Sequence, residues 1–306
     1  MAHQWRFIAL VSYPCLSANQ QQNLPELIQA KALPKMYEDS THQLWDCDTD
    51  QGSIILKICN DDNVADSTFW QGMSLLFDVD LANQLGEFRP VYDMLSRFSP
   101  LVIPSFIAAG SIFQDEQAFI AAIKVAGNMI NASDTNDALV VGLADQIAKL
   151  HSYTHVKWGR LGQAKFDSTQ WTQRLGFTLK SLGEKESSIP TQLLSEATEL
   201  AAQCTAEQFS PIMLDLRWDQ FLHQDGKLAA LVDLDAFVFA PRELELIMLE
   251  YLLDAQQATL FIDEYQKTHA FPDLAPYRTP YRLLLFMMNV LGEKDVDSWM
   301  QATTRF

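Results

Sequence analysis

The sequence predicts an α+β protein, with a small, mainly antiparallel β part at the amino terminus and a larger helical part after it. Three observations predict this. Between Leu33 and Asn60 the chain alternates as strand, turn and strand, with Asp48-Thr-Asp-Gln-Gly52 as the turn. From Asn136 to Ser152, Leu139, Leu143, Ile147 and Leu150 recur at helical spacing, and Tyr281–Leu291 is apolar nearly all round, as a buried helix is. At 306 residues the chain exceeds one small core and suits two lobes sharing a cleft. The boundary falls near residue 127, giving an amino-terminal lobe of 1–127 and a carboxy-terminal lobe of 128–306.

Composition narrows the class of partner. A hydrophobic content of 48% with 20% charged residues is that of an ordinary globular chain. With 22 Lys and Arg against 39 Asp and Glu, the formal charge is −17, which lacks the basic footprint that nucleic acid or an anionic membrane surface requires. Cys15, Cys47, Cys59 and Cys204 are scattered without a metal-site spacing, as free thiols of a cytoplasmic protein are. No apolar run reaches the ~18–20 residues of a membrane span. The apolar stretch Phe7–Tyr13 is short and reads as a strand or an extra amino-terminal element.

The first arm of the predicted hairpin is Met36–Cys47 and the second is Ser53–Cys59. Lys57 interrupts the apolar run of the second arm, so its cation needs a partner, an edge position or a route to water. The loop Glu38-Asp-Ser-Thr-His42 before it contains no glycine. Gly86–Phe98 carries a helical apolar face, tolerates Pro90 in its first turn and opens on Glu87, an acid the helix dipole favours, with Asp93 further along. Leu101–Gly110 and Ala118–Gly127 read as two further strands. The helix over 136–152 is capped by Asp134 or Asn136 and ends at His151, which reads as a structural, hydrogen-bonded histidine.

Farther along, Pro211–Leu222 and Leu228–Asp235 read as two apolar strands joined by the polar turn His223–Lys227. Asp215 stands between Leu214 and Leu216, while Asp233 and Asp235 flank Leu234. Carboxylates in such company are costly to bury without a cation or donors. On spacing alone this is either a hairpin with ordinary surface acids or a place that gathers metal ions and phosphate.

In its order of elements the chain resembles the aminoglycoside phosphotransferase and choline kinase family, the small-molecule branch of the protein-kinase-like fold. That order is a strand lysine, an acid on the next helix, a hinge strand, a helix ending in Leu150-His151, Asp215 followed by Gln220, then Asp233, spanning roughly Leu33 to Leu291. The resemblance implies a two-lobed fold with the nucleotide cleft between the lobes, and ATP and magnesium as cofactors. It implies Asp215 as the catalytic carboxylate and Asp233 and Gln220 as metal ligands, with Asp235 matching a further acid the family often shows. Lys57 becomes the phosphate-binding lysine, paired with Glu87. Ser40 and Thr41 become donors of the phosphate-covering loop, and Lys124, Val125, Ala126 and Gly127 the hinge backbone that meets adenine, two of them being small.

The chain departs from the family pattern in three places. Met213-Leu214 replaces the usual His-Gly, Gln220 is one methylene longer than the usual Asn, and the phosphate loop has no glycine. The implied activity is phosphoryl transfer to a hydroxyl of a small molecule such as a sugar, amino sugar or amino alcohol, a cationic acceptor suiting the acidic charge. The alternatives are a non-catalytic pseudokinase that binds a nucleotide or partner, and an unrelated α+β protein whose hairpin mimics the motif. The stretch 65–85 reads as an insertion longer than a minimal lobe of this fold needs, and it and the variable stretch 159–206 are where such folds build the acceptor pocket.

Overall fold

Strand alternation on either side of Gly52 closes into a hairpin. The computed structural model describes residues 11–35 and 40–306. Its first elements are β1 (Leu27–Ala32), β2 (His42–Thr49), β3 (Gly52–Cys59), α1 (Asp61–Asp66), α2 (Thr68–Phe77), α3 (Leu81–Gln84), α4 (Arg89–Phe98), β4 (Phe106–Gly110) and β5 (Phe119–Ile123). The strands form one antiparallel sheet in the order β1-β2-β3-β5-β4. Thr49 pairs with Gly52, so the turn is tighter than expected and only Asp50 and Gln51 lie between the arms. Gly52 has φ +112, a conformation that favours glycine. The Asp50 carboxylate accepts from the Glu26 amide at 2.8 Å, tying the turn to β1.

Side chains along β3 obey the period of two. Ile54, Leu56 and Ile58 are buried with Tyr13, Leu16, Leu27, Cys47, Phe119 and Ala121, forming the core beneath the sheet. Tyr13 belongs to this core rather than to a strand. Its hydroxyl donates to the Pro25 carbonyl at 2.9 Å, and burial pushes its pKa up to about 12. Positions 7–10 of the expected amino-terminal strand lie outside the described residues, as do residues 36–39 of the first hairpin arm.

The chain clusters into two compact units. One contains residues up to Val64 with Ala82–Arg89 and Ser105–Lys124; the other contains Ala65–Leu81, Pro90–Pro104 and Val125–Phe306. A single boundary at 127 therefore gives way to an interleaved division, because α2 and most of α4 pack with the second unit. The cause is visible in α2. Trp70, Met73, Leu76 and Phe77 are buried, Phe77 lies 6.1 Å from both Trp158 and Trp171, and Arg174 donates to the Leu75 and Leu76 carbonyls at the helix end. The stretch 65–85, expected as an insertion, is largely an anchored helix of the second unit.

That unit continues with β6 (Asn128–Met129), α5 (Asp137–His151), β7 (Lys157–Arg160), β8 (Phe166–Asp167), α6 (Trp171–Gly183), α7 (Thr191–Ala201), β9 (Ser210–Met213), β10 (Phe221–Gln224), β11 (Lys227–Leu231) and β12 (Phe237–Ala240). It closes with α8 (Arg242–Leu252), α9 (Ala255–Tyr265), α10 (Arg278–Met287) and α11 (Val296–Met300). Two small sheets, β11-β10-β6 and β8-β7-β12-β9, sit among the helices. Asn136 caps α5 by accepting from the Leu139 amide at 3.0 Å. Helix α10 is the buried helix expected near 281–291, although it starts at Arg278 and carries a buried Arg282 that pairs with buried Glu250 at 2.7 Å. Among the described residues no helix is long and apolar enough to cross a membrane.

One buried polar network joins α5, α8, α9 and β9. His151 Nδ1 lies 2.8 Å from the Tyr265 hydroxyl and His151 Nε2 lies 2.9 Å from Glu245 Oε2. Glu245 Oε1 accepts from the Met213 amide at 2.7 Å. Arg242 donates to the Tyr265 oxygen at 3.3 Å, and burial pushes the Tyr265 pKa up to about 12, so the phenol keeps its proton. His151 is thus the structural residue expected of it.

Two stability predictions follow from this packing. Glu245→Ala strands the Met213 amide and His151 in a dry interior and should cost about 3 kcal/mol, with Glu245→Gln costing less because it retains an acceptor. Trp171→Ala empties a fully buried ring site between Trp158 and Tyr281 and should cost about 3–5 kcal/mol. Urea unfolding followed by circular dichroism measures both; losses below about 0.5 kcal/mol would show these groups to be peripheral.

Candidate active site

Pro211–Leu222 does not form one strand. β9 ends at Met213 and pairs with β12, whereas β10 begins at Phe221 and pairs with β11. The chain has to leave one sheet and enter another, and it does so through Leu214–Arg217 and a 3-10 turn, Trp218–Gln220. Asp215 therefore stands in a loop rather than on a strand. Asp233 likewise lies in the loop between β11 and β12. The expected hairpin is confined to β10 and β11, with Asp225 at φ +50 and Gly226 at φ +76 forming its turn.

Two backbone clamps hold these loops against each other. On one side Met213 pairs with Phe237, and the Leu214 amide donates to the Ala236 carbonyl at 3.2 Å. On the other, Phe221 pairs with Leu231, and the Val232 amide donates to the Gln220 carbonyl at 3.0 Å. The segments carrying Asp215, Gln220 and Asp233 are thus neighbours although 18 positions separate the two acids. Leu214, Leu216 and Leu234 are buried and pin the loops from below, while Asp215 and Asp233 remain half-buried and Asp235 is buried. Apolar residues flanking Asp215 and Asp233, conspicuous in the sequence, are the anchors that leave these two carboxylates accessible.

Both Asp215 oxygens are engaged. Oδ1 accepts from Arg217 Nη1 at 2.7 Å and Oδ2 from Gln220 Nε2 at 3.1 Å. Arg217 is itself held through Nε by Asp219 Oδ1 at 3.1 Å. Sequence reading missed this chain of charges, although the spacing Asp215-x-Arg217-x-Asp219 was there as a signal. It also missed that Glu245 holds the amide two residues before Asp215, since the partners are 32 positions apart with no local cue.

The first unit positions the other candidates. Lys57 sits on β3, flanked by β2 and β5 and opposite Leu44 and Ile120, so the edge-strand explanation for this lysine is removed. Glu87 does not open the helix. It is exposed in a 3-10 turn, Leu85–Glu87, closed by the Phe88 amide donating to the Leu85 carbonyl, and α4 starts at Arg89 with Pro90 in its first turn. Asp93, the other acid considered, is exposed on α4. The Ser40 carbonyl accepts from Asn63 Nδ2 at 2.8 Å and the Thr41 carbonyl from the Asn60 amide at 2.8 Å, so both residues are tied to the corner between β3 and α1. Glu38 and Asp39 lie outside the described residues.

At the expected hinge, the Lys124 amide donates to the Ser53 carbonyl at 3.0 Å and its ammonium pairs with Asp46 at 2.6 Å. In the second unit, the Ala126 carbonyl accepts from Gln224 Nε2 at 3.1 Å. Gly127 has φ +148, and a Cβ there would meet Leu222 Cβ at 2.8 Å. Its smallness therefore serves the close approach of β10. Val125 begins the second unit's run of residues here.

Among the described residues no three His, Cys, Asp or Glu side chains converge as one metal site. Magnesium asks for less, since it is bound through one or two carboxylates with nucleotide phosphates and water completing the shell. The oxygen donors here fit it. Gln220 spends its amide nitrogen on Asp215, so only its carbonyl oxygen remains as a hard donor, and Asp233 adds a half-buried carboxylate.

No protein-family model and no curated protein sequence matches this chain. Solved structures do. A protein designated a fructosamine-3-kinase, from Thermobifida fusca, aligns with TM-score 0.62 at 13% identity over 93% of this chain and 96% of that one. A macrolide 2'-phosphotransferase from Brachybacterium faecium aligns with TM-score 0.57 at 12% identity over 90% and 91%. A thermostable mutant of the aminoglycoside phosphotransferase APH(4)-Ia, in a ternary complex with ADP and hygromycin B, aligns with TM-score 0.57 at 13% identity over 87% and 88%. An unrelated fold that mimics the motif is thereby set aside. A sheet-rich amino-terminal part, a helical carboxy-terminal part and near-complete alignment with these proteins establish that the chain has the protein-kinase-like fold of the aminoglycoside phosphotransferases.

Proposed function

We propose that the chain is an ATP- and magnesium-dependent phosphotransferase acting on a hydroxyl of a small molecule. The observation that carries this is the paired backbone clamp, which makes neighbours of the loops bearing Asp215, Gln220 and Asp233 in a fold whose solved examples include a complex with ADP and an aminoglycoside. In this scheme Asp215 orients the acceptor hydroxyl. The acceptor oxygen forms a bond to the γ-phosphorus as the bond to the β–γ bridging oxygen breaks. ADP leaves with that oxygen, and the hydroxyl proton passes to Asp215. Asp233 and Gln220 hold magnesium, whose charge neutralises the phosphates when it is bound.

In the first unit, Lys57 neutralises the α and β phosphates and Glu87 orients it. Ser40 and Thr41 lie in the phosphate-covering loop, and the Lys124–Gly127 backbone meets adenine. The net charge of −17 favours a cationic acceptor, an amino sugar or amino alcohol over an acidic one. The scattered cysteines Cys15, Cys47, Cys59 and Cys204, with no metal-site spacing, suit a cytoplasmic setting.

A second reading, a nucleotide-sensing pseudokinase, draws on one observation: the Asp215 carboxylate already pairs with Arg217. Thermal-shift titration with ATP, with and without magnesium, separates the two. A magnesium-dependent shift is expected of the phosphotransferase, and a magnesium-independent one of the sensor.

Asp233→Ala should abolish magnesium-dependent ATP binding by calorimetry. Asp215→Ala should leave ATP affinity within about threefold of the parent, yet lower transfer to the acceptor by about a hundredfold or more. Transfer is read as ATP consumption against a panel of amino sugars, sugars and amino alcohols. If both variants bind and turn over nucleotide like the parent, the assignment fails.

A further inference from the structure

Asp215 is gripped from both sides by residues that depart from the family pattern or lie outside it. Gln220 reaches Oδ2, and Arg217 reaches Oδ1 at 2.7 Å. Arg217 is not free to wander, because Asp219 holds its Nε while Nη1 faces Asp215. Its side chain is 28% exposed and that of Asp215 25%, so the pair sits at the accessible lip of the loop rather than in the core. An exposed ion pair of this kind adds little stability. Its geometric effect is larger: two donors fix the rotation of a carboxylate plane that would otherwise turn about χ2.

We propose that Arg217 is a positioning residue for phosphoryl transfer, and that Arg217 and Gln220 act together as a two-sided clamp that presents the Asp215 carboxylate to the acceptor hydroxyl in one orientation. This rests on the phosphotransferase reading above. A carboxylate has about four acceptor sites, so one that takes two clamping bonds can still accept a hydroxyl. The clamp also gives the length of Gln220 a purpose. Its terminal amide spans from the 3-10 turn to Asp215, and the Asn usual at this position is one methylene shorter. Asp219, in turn, is the residue that keeps the guanidinium aimed.

The test uses the full chain with ATP and magnesium, water serving as the acceptor, so that no acceptor need be known. Phosphate release gives kcat and KM, and calorimetry gives ADP affinity. Arg217→Gln should lower kcat about ten- to a hundredfold, the cost of a misplaced reacting group, with KM for ATP and ADP affinity within about threefold of the parent. Arg217→Lys should recover part of the loss, and Asp219→Asn should give a milder version of it. Gln220→Asn, although it restores the family residue, should also lower kcat by about tenfold.

In an Asp215→Asn background, Arg217→Gln should have no further effect on the residual rate, since the residue it positions is already disabled. An equal loss in that background, or a loss that appears in ADP affinity instead of kcat, overturns the positioning role while leaving the phosphotransferase reading intact. Gln220→Asn as active as the parent overturns the two-sided clamp. A parent chain that neither binds nor hydrolyses ATP overturns the function and this proposal together.

Discussion

The loop that carries Asp215 hangs from a single buried carboxylate. Glu245 is fully enclosed, and one of its oxygens holds the Met213 amide while the other holds His151. A carboxyl group in that position is tolerated because both its oxygens have polar partners and because Tyr265 meets the histidine's other ring nitrogen. The network ties the end of α5, the first turns of α8 and the end of α9 to the last residue of β9. Where β9 stops, and so where the Asp215 loop begins, is set by this arrangement of four elements.

From that fixed point the two sheets of the second unit divide the work. β12 pairs with β9 on one side of the acidic loops, and β11 pairs with β10 on the other. Neither pair is long, and each contributes few bonds. Together they leave the intervening loops little freedom, with Leu214, Leu216 and Leu234 buried beneath them. The result is a rigid support for half-buried acids, the condition a site needs if it is to use binding energy for orientation. The sheet of the first unit follows the same logic at Lys57, a cation on a strand flanked by neighbours and backed by a core of Ile54, Leu56 and Ile58 on the opposite face.

Departures from the family pattern acquire a common sense in this light. Gln220 in the place of Asn and Arg217 two residues after the acid both reach Asp215, from opposite sides. Asp219 steadies the arginine. A motif that looks weakened when compared letter by letter is, in three dimensions, a carboxylate with more support than its sequence suggests.

Much of the fold was legible in the amino-acid order. The period of two around Gly52 set the first hairpin, helical spacing and the Asn136 cap set α5, and the all-round apolarity of 281–291 announced a buried helix, because these depend on residues close in the chain. Order and spacing singled out Asp215, Gln220 and Asp233 as candidates, and the fold makes neighbours of the segments that carry them. What sequence could not supply was partnership across distance. Pro211–Leu222 read as one strand because its apolar content is continuous, yet pairing of β9 with β12 rather than with β11 breaks it at Leu214. Glu87 read as a helix start because it precedes an amphipathic stretch, yet the 3-10 turn before Pro90 claims it. Residues 65–85 read as an insertion, and only the aromatic cluster of Phe77, Trp158 and Trp171 decided that 65–81 belong to the second unit. Local periodicity determines which elements form. Which element each strand pairs with, and which buried charge meets which donor, is decided by packing between segments far apart in the chain, and that information exists only in the folded molecule.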